Sequence, residues 1–157
     1  SNSVNITNPN AASNAVSNIV LVCEHASAHI PPQFQNLGLA PDTRNSHAAW
    51  DPGALAVAQH LSQSLNAALV ASTVSRLVYD CNRPPSSPSA LPARSEVIEI
   101  PGNANLSQTD RDARTAAYYT PFYTALAEQI AKTTNPIIVT IHSFTPIYHG
   151  HPRAVEI

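Results

Sequence analysis

The chain has 157 residues, 43% of them hydrophobic and 11% charged, with a formal net charge of −2. That length and apolar content suit one domain with a real core and exclude a disordered chain. No basic run supports binding to nucleic acid or an anionic membrane, and no apolar stretch approaches a membrane span.

In chain order, residues 1–17 are polar and lack the basic-then-apolar order of a signal peptide, so they read as a flexible lead-in. Residues 18–23, "NIVLVC", read as a short buried strand because they are rich in Val and Ile and run into polar residues. Residues 29–47 hold three prolines and one glycine and should be mostly loop. Asp51-Pro52 looks like a helix start, with Asp as N-cap and Pro in the first turn. Leu55, Ala58, Leu61, Leu65 and Ala68 recur at helical spacing, which predicts a helix over residues 52–66. "ALVAST" and "SRLVYD" predict one or two strands by Asp80, and this β-loop-α-β order favours an α/β sheet.

Residues 83–103 carry five prolines and should form a long irregular excursion. A helical region is predicted from Gln108 to Lys132, broken after Thr120 because Pro121 removes a helical donor. Residues 136–142, "PIIVTIH", read as a strand buried on both faces and ending in a histidine. Cys23 and Cys81 each end an apolar run, where a buried free thiol is the default, and a reducing cytoplasm fits.

Three apolar runs thus end in polar clusters: Glu24-His25, Asp80-Asn82-Arg83 and His142-Ser143. Open α/β sheets bind ligands outside the carboxyl ends of their strands, which makes that edge the candidate site. Imidazole and carboxylate suit zinc, and a catalytic zinc takes three protein ligands. His25, His142 and Asp51 would make such a set, although Asp51 also reads as a plain N-cap. Rival pairs are His25 with His29, four residues apart but followed by two prolines, and His149 with His151, which reads rather as a solvated loop. No His-x-Asp supports an iron oxygenase triad, no glycine-rich loop cradles phosphate, and no Gly-x-Ser-x-Gly supports a serine hydrolase. Arg83, with Asn82 beside it, can grip a substrate carboxylate through a bidentate fork. The alternative is internal pairing of Arg76 or Arg83 with Asp80.

The blocks "VCEHASAHIPP", "AWDPGA", "SRLVYDCNRPP", "IPGN" and "TIHSFTP" occur in this order and together resemble the N-formylglutamate amidohydrolase family, from residue 19 onward. The resemblance implies a three-layer α/β/α fold of the phosphorylase/hydrolase kind. Its sheet would be mixed and mostly parallel, as in the related zinc carboxypeptidases and aspartoacylases, with a metal at the strand ends. It implies zinc, or another divalent metal, on His25 and His142, with Asp51 assigned as the acidic ligand. It implies that Arg76, Asn82 and Arg83 hold the substrate carboxylate, with Glu24 and Ser143 adjoining the ligands. Ala28 stands where relatives commonly have Asn.

The expected activity is metal-dependent cleavage of the amide of a small N-acyl amino acid such as N-formyl-glutamate. The alternatives are a carboxypeptidase-like or other N-acyl amino-acid hydrolase, or a metal- or ligand-binding fragment without turnover. Family members continue past the point that corresponds to Ile157. The resemblance therefore implies a general base beyond Ile157, for which Glu156 is a weak substitute. Residues 18–157 are expected to be the N-terminal portion of a single amidohydrolase domain. Such a portion should be inactive alone, with an incomplete sheet whose exposed edge favours self-association. The expected partner is a small N-acyl amino acid, with no nucleic acid and no membrane, in the cytoplasm.

Overall fold

The computed structural model describes residues 3–9, 17–148 and 151–153. The elements run β1 (Val4–Thr7), β2 (Ile19–Cys23), a 3-10 segment Pro32–Gly38, α1 (Pro41–Arg44), α2 (Ala54–Leu65) and β3 (Ala68–Ser72). A hairpin β4 (Arg94–Ser95) and β5 (Ile98–Glu99) follows, then α3 (Gln108–Arg114), a π-helical turn Thr115–Tyr119 and α4 (Thr120–Lys132). β6 (Ile137–Thr140) and a second hairpin, β7 (Ile147–Tyr148) and β8 (His151–Pro152), complete the order.

β1, β3, β2 and β6 form the main sheet in that order. β3, β2 and β6 are parallel, with Val20 opposite Ala68 and Ile138, and β1 is antiparallel to β3. Alternation along the strands splits the core into two layers. Val22 and Val70 pack with Tyr118, Phe122 and Ala125 on the α4 side. Leu21, Cys23, Leu69 and Ala71 pack with Ala54 and Ala58 of α2 on the other. The expected α/β architecture, helices on both faces of a mostly parallel sheet, is therefore present. Ala54, Ala58 and Ser62 form the buried stripe of α2, and their small side chains let the helix lie close to the sheet. Each buried Val or Leu in these layers contributes about 1.5–3 kcal/mol.

Four local expectations are corrected. Within the predicted flexible lead-in, Val4–Thr7 forms a strand, because its backbone completes the ladder along β3 and Val4 packs on the core. Residues 10–16 of the lead-in lie outside the described residues.

Of the one or two strands expected by Asp80 one forms, β3, and residues 75–80 form turns. The Ser75 carbonyl accepts from the N–H groups of Val78 and Tyr79, and its hydroxyl accepts from Leu77 N–H. The apolar run that suggested a strand reflects burial of Leu77, Val78 and Tyr79, which periodicity alone does not distinguish from strand character.

The helix over residues 108–132 is not broken at Pro121. A π turn precedes it, with Thr120 N–H donating to Thr115 O, and Pro121 falls in the first turn of α4, where a missing N–H costs little.

Finally, β6 is not buried on both faces. Ile137, Ile138 and Val139 are 52%, 50% and 36% exposed. Among the described residues β6 pairs with β2 alone and forms an edge of the sheet. No described helix is long and apolar enough to cross a membrane.

Candidate metal centre

Parallel pairing brings the carboxyl ends of β2 and β6 to one edge. Val22 lies opposite Thr140, and Ile141 N–H donates to Val22 O at 2.8 Å, so the two chains leave the sheet together. His25 follows β2 and His142 follows β6 by a few residues, which puts the imidazoles side by side with ring centroids 4.9 Å apart and planes at 60°. Asp51 arrives from the loop before α2, tied down by its N–H to His25 O at 3.0 Å. It does not cap the helix with its side chain. Gly53, at φ +83°, is the N-cap, a left-handed conformation that glycine adopts without steric cost. The Asp51 carboxylate is thereby left to face the histidines.

Both Nδ1 atoms point to the same oxygen. His25 Nδ1 lies 3.3 Å and His142 Nδ1 2.9 Å from Asp51 Oδ2. Ser143 N–H donates to that oxygen at 3.3 Å, and the Ser143 hydroxyl donates to Pro52 O at 2.8 Å. Each Nε2 faces a further carboxylate: His25 meets Asp80 Oδ1 at 2.8 Å, and His142 meets Glu24 Oε2 at 3.4 Å. Asp80 is in turn held by Arg76 at 3.1 Å and by Asn82 N–H at 3.0 Å. Arg76 also lies 3.7 Å from Asp51 Oδ1.

Glu24, His25, Asp51 and Asp80 are all buried, so the electrostatics here are strong. Burial alone would raise the Asp51 pKa, but hydrogen bonds from His142 and His25 outweigh it and hold this carboxyl well below its usual range. Asp80 is likewise lowered, burial being overcome by His25, Arg76 and the Asn82 N–H. Burial disfavours charge on His25, yet its hydrogen bonds to Asp51 and Asp80 leave its pKa above the ordinary value.

The donor set suits a cation. One ligand atom each from His25, Asp51 and His142 lie within 4.8 Å of one another, the one such group among the described residues. Glu24 Oε2 is buried and makes no hydrogen bond, an added negative charge at the same place. With both Nε2 atoms turned to carboxylates and both Nδ1 atoms converging, the imidazoles have the oriented arrangement that metal-binding histidines take.

The other residues singled out in the sequence are distributed as follows. His29 and His151 join no such group among the described residues. His149, Glu156 and Ile157 lie outside the described residues. The carboxylates at the centre among the described residues are Glu24, Asp51 and Asp80. Arg76 adopts the internal pairing that was its alternative. Arg83 is exposed, and its guanidinium donates to Asn82 O at 3.0 Å. The sequence places Asp80 in a strand-end polar cluster and as an arginine partner, and its hold on His25 comes from the fold. Its signal was position, at the end of a buried run four residues after Arg76. Cys23 and Cys81 are free and buried, and burial pushes both thiols up to about 12.

A cavity of about 520 Å³ between residues 85–91 and α3 contains none of the donor residues. Another, of about 440 Å³, adjoins the centre through Arg76 and is lined also by His47, Ala48, Ser95, Glu96 and Arg153.

Fold and site define an α/β protein with a histidine–carboxylate cluster at the carboxyl ends of its parallel strands. Residues 17–155 match the model of the N-formylglutamate amidohydrolase family, and the chain belongs to that family. It is similar to the crystal structure of a gene product from Agrobacterium tumefaciens, with 52% identity and a TM-score of 0.92. That match covers 99% of this chain and 62% of the other. Its fold is also like that of N-formylglutamate amidohydrolase from Ralstonia eutropha, with 17% identity and a TM-score of 0.66 over 83% of this chain and 51% of that one. The chain therefore spans less than two thirds of the length of either. No curated protein matches it.

Proposed function

We propose that this chain forms the metal-binding part of a hydrolase that cleaves the amide of a small N-acyl amino acid, N-formyl-glutamate being the substrate its family suggests. The observation that carries this reading is the convergence of His25 Nδ1 and His142 Nδ1 on Asp51 Oδ2. A zinc-class divalent cation held by these three residues supplies a Lewis acid for the amide carbonyl. Asp80 accepts from His25 Nε2, and the Glu24 carboxylate lies 3.4 Å from His142 Nε2, which leaves each Nδ1 as the atom that would give up its proton to hold the cation. Arg76, fixed by Asp80 and next to Asp51, holds the substrate's α-carboxylate beside the scissile amide, and Asn82 and Arg83 on the following turn extend that grip. Two free, buried thiols suit a reducing compartment, and the cytoplasm is part of this proposal.

Zinc titration tests the centre. The wild-type chain should bind one equivalent, and His25→Ala and His142→Ala should each abolish binding. A wild-type chain that takes up no divalent metal overturns the metal assignment. The activity is tested as formate release from N-formyl-L-glutamate by the polypeptide as encoded in its gene, lost with a chelator and restored by zinc. Zinc-loaded protein of that length releasing no formate would leave only a binding domain.

A further inference from the structure

The cavity of about 520 Å³ between residues 85–91 and α3 is within the size range of small-ligand sites, roughly 300–1,000 Å³, and contains no residue of the metal centre. Tyr79 lines it. This side chain is wholly buried, yet its hydroxyl makes no hydrogen bond. The Thr115 hydroxyl beside it, also on the lining, donates to Arg111 O at 2.9 Å and falls outside hydrogen-bond geometry with Tyr79. A buried hydroxyl without a partner is costly, and native proteins keep few of them. Thr115 also opens the π turn Thr115–Tyr119, an irregularity found mostly at functional sites.

The charged residues of the lining are Arg111 and Asp112. Arg111 is half-buried and enters no ion pair among the described residues. Asp112 Oδ1 accepts from Gln108 Nε2 at 2.8 Å, and its carboxylate likewise meets no cation. Successive residues on a helix point apart, so the two do not pair with each other. The lining is thus neutral in sum, yet it offers one guanidinium and one free carboxylate oxygen. The facing loop adds the apolar surfaces of Pro85, Pro88 and Leu91. That loop is held in shape, because Ser87 Oγ accepts from Ser89 N–H at 3.3 Å and Ala90 O accepts from Asp80 N–H at 2.9 Å. The wall is therefore formed before a ligand arrives, which lowers the ordering cost of binding.

We propose that this cavity is a second binding site, separate from the metal centre, for a free α-amino acid with an apolar side chain. The proposal goes beyond the amidohydrolase reading and does not depend on it. The ligand's carboxylate takes the Arg111 guanidinium and the unused Tyr79 hydroxyl proton, both charge-assisted bonds. Its ammonium takes the Asp112 oxygen that Gln108 leaves free. Its side chain lies on Pro85, Pro88 and Leu91. A simple anion would meet Asp112 and a simple cation would meet Arg111, so each is disfavoured against a zwitterion. An acidic side chain would find no second cation on this lining.

Calorimetry with L-leucine, on the zinc-loaded polypeptide as encoded in its gene, tests the site. Wild type should bind one equivalent. 4-Methylpentanoate and 3-methylbutylamine, which are leucine without its ammonium and without its carboxylate, should each bind about tenfold more weakly or worse, the scale of a lost charge-assisted hydrogen bond. Arg111→Gln and Tyr79→Phe should each weaken leucine by a similar factor, with zinc stoichiometry unchanged. Amino acids can also chelate zinc, so His25→Ala, which removes the centre, serves as the control and should bind leucine as wild type does. The proposal is overturned by a wild type that takes up no leucine at millimolar concentration, by leucine binding that disappears in His25→Ala, or by Arg111→Gln and Tyr79→Phe variants that keep full affinity. Equal binding of leucine and 4-methylpentanoate would likewise overturn it, since the ammonium would then have no partner in the cavity.

Discussion

His25 Nε2 lies 2.8 Å from Asp80 Oδ1, with both groups buried. A carboxylate accepts only, so Nε2 donates here, and Nδ1, which faces Asp51, is the atom that would exchange its proton for a cation. Asp80→Asn keeps the shape but gives up the charge that fixes this tautomer. It should weaken zinc binding by about 10–100-fold, measured by competition with a chromogenic chelator. Unchanged affinity would show that Asp80 serves Arg76 alone.

Arg114 ties the scaffold to the site. Its guanidinium donates to Asn103 Oδ1 at 2.7 Å and to the carbonyls of Val78 and Gly102, and it stacks on Phe34 with 4.4 Å to the ring centroid. Asn103 in turn donates to Leu77 O and Pro92 O. Together they hold the turn that carries Tyr79 and Asp80. Arg114→Ala leaves these carbonyls buried without a donor and should cost about 3 kcal/mol in urea unfolding. A loss under about 0.5 kcal/mol, the range of ordinary surface changes, would rule out this role.

Gly102 is required by close approach. A Cβ there would sit 2.8 Å from Leu37 Cα, a backbone atom. Leu37 is itself buried at φ +56° within a left-handed turn and has little room to yield. Gly102→Ala should destabilise the fold by about 1–3 kcal/mol, read as a lower denaturation midpoint with zinc stoichiometry intact. An unchanged midpoint would mean that the 37–102 contact relaxes freely.

The buried thiols give a pH dependence. Both pKa values rise from 9.0 to about 12 on folding, so the native state holds these protons more tightly than the unfolded chain. Their contribution is fully present below pH 9 and is lost as pH climbs toward 12, with a slope of up to about 1.4 kcal/mol per pH unit for each thiol. Iodoacetamide at about pH 8, below the ordinary thiol pKa, should label neither cysteine in the folded chain and both in denaturant. Rapid labelling of Cys81 in native protein would contradict its burial.

The sequence by itself determined the parts whose signal is local. Val- and Ile-rich runs marked β2, β3 and β6, the apolar spacing marked α2, and the ordered motif blocks marked the family. Strand-end histidines could be expected to share one edge of the sheet because parallel strands bring their carboxyl ends together, and His25 and His142 do so. Tertiary structure decided the rest, since it depends on partners distant in the chain. Val4–Thr7 is a strand because β3 offers an open ladder. Leu77, Val78 and Tyr79 are an apolar run that is buried, yet Ser75 coils it into turns. Asp51 reads in the sequence as a helix cap or as a ligand, and in the fold the left-handed Gly53 takes the cap position and leaves the carboxylate facing His25 and His142. The contact of Asp80 with His25 could not be read from neighbours in sequence, because folding brings the two together across 55 residues.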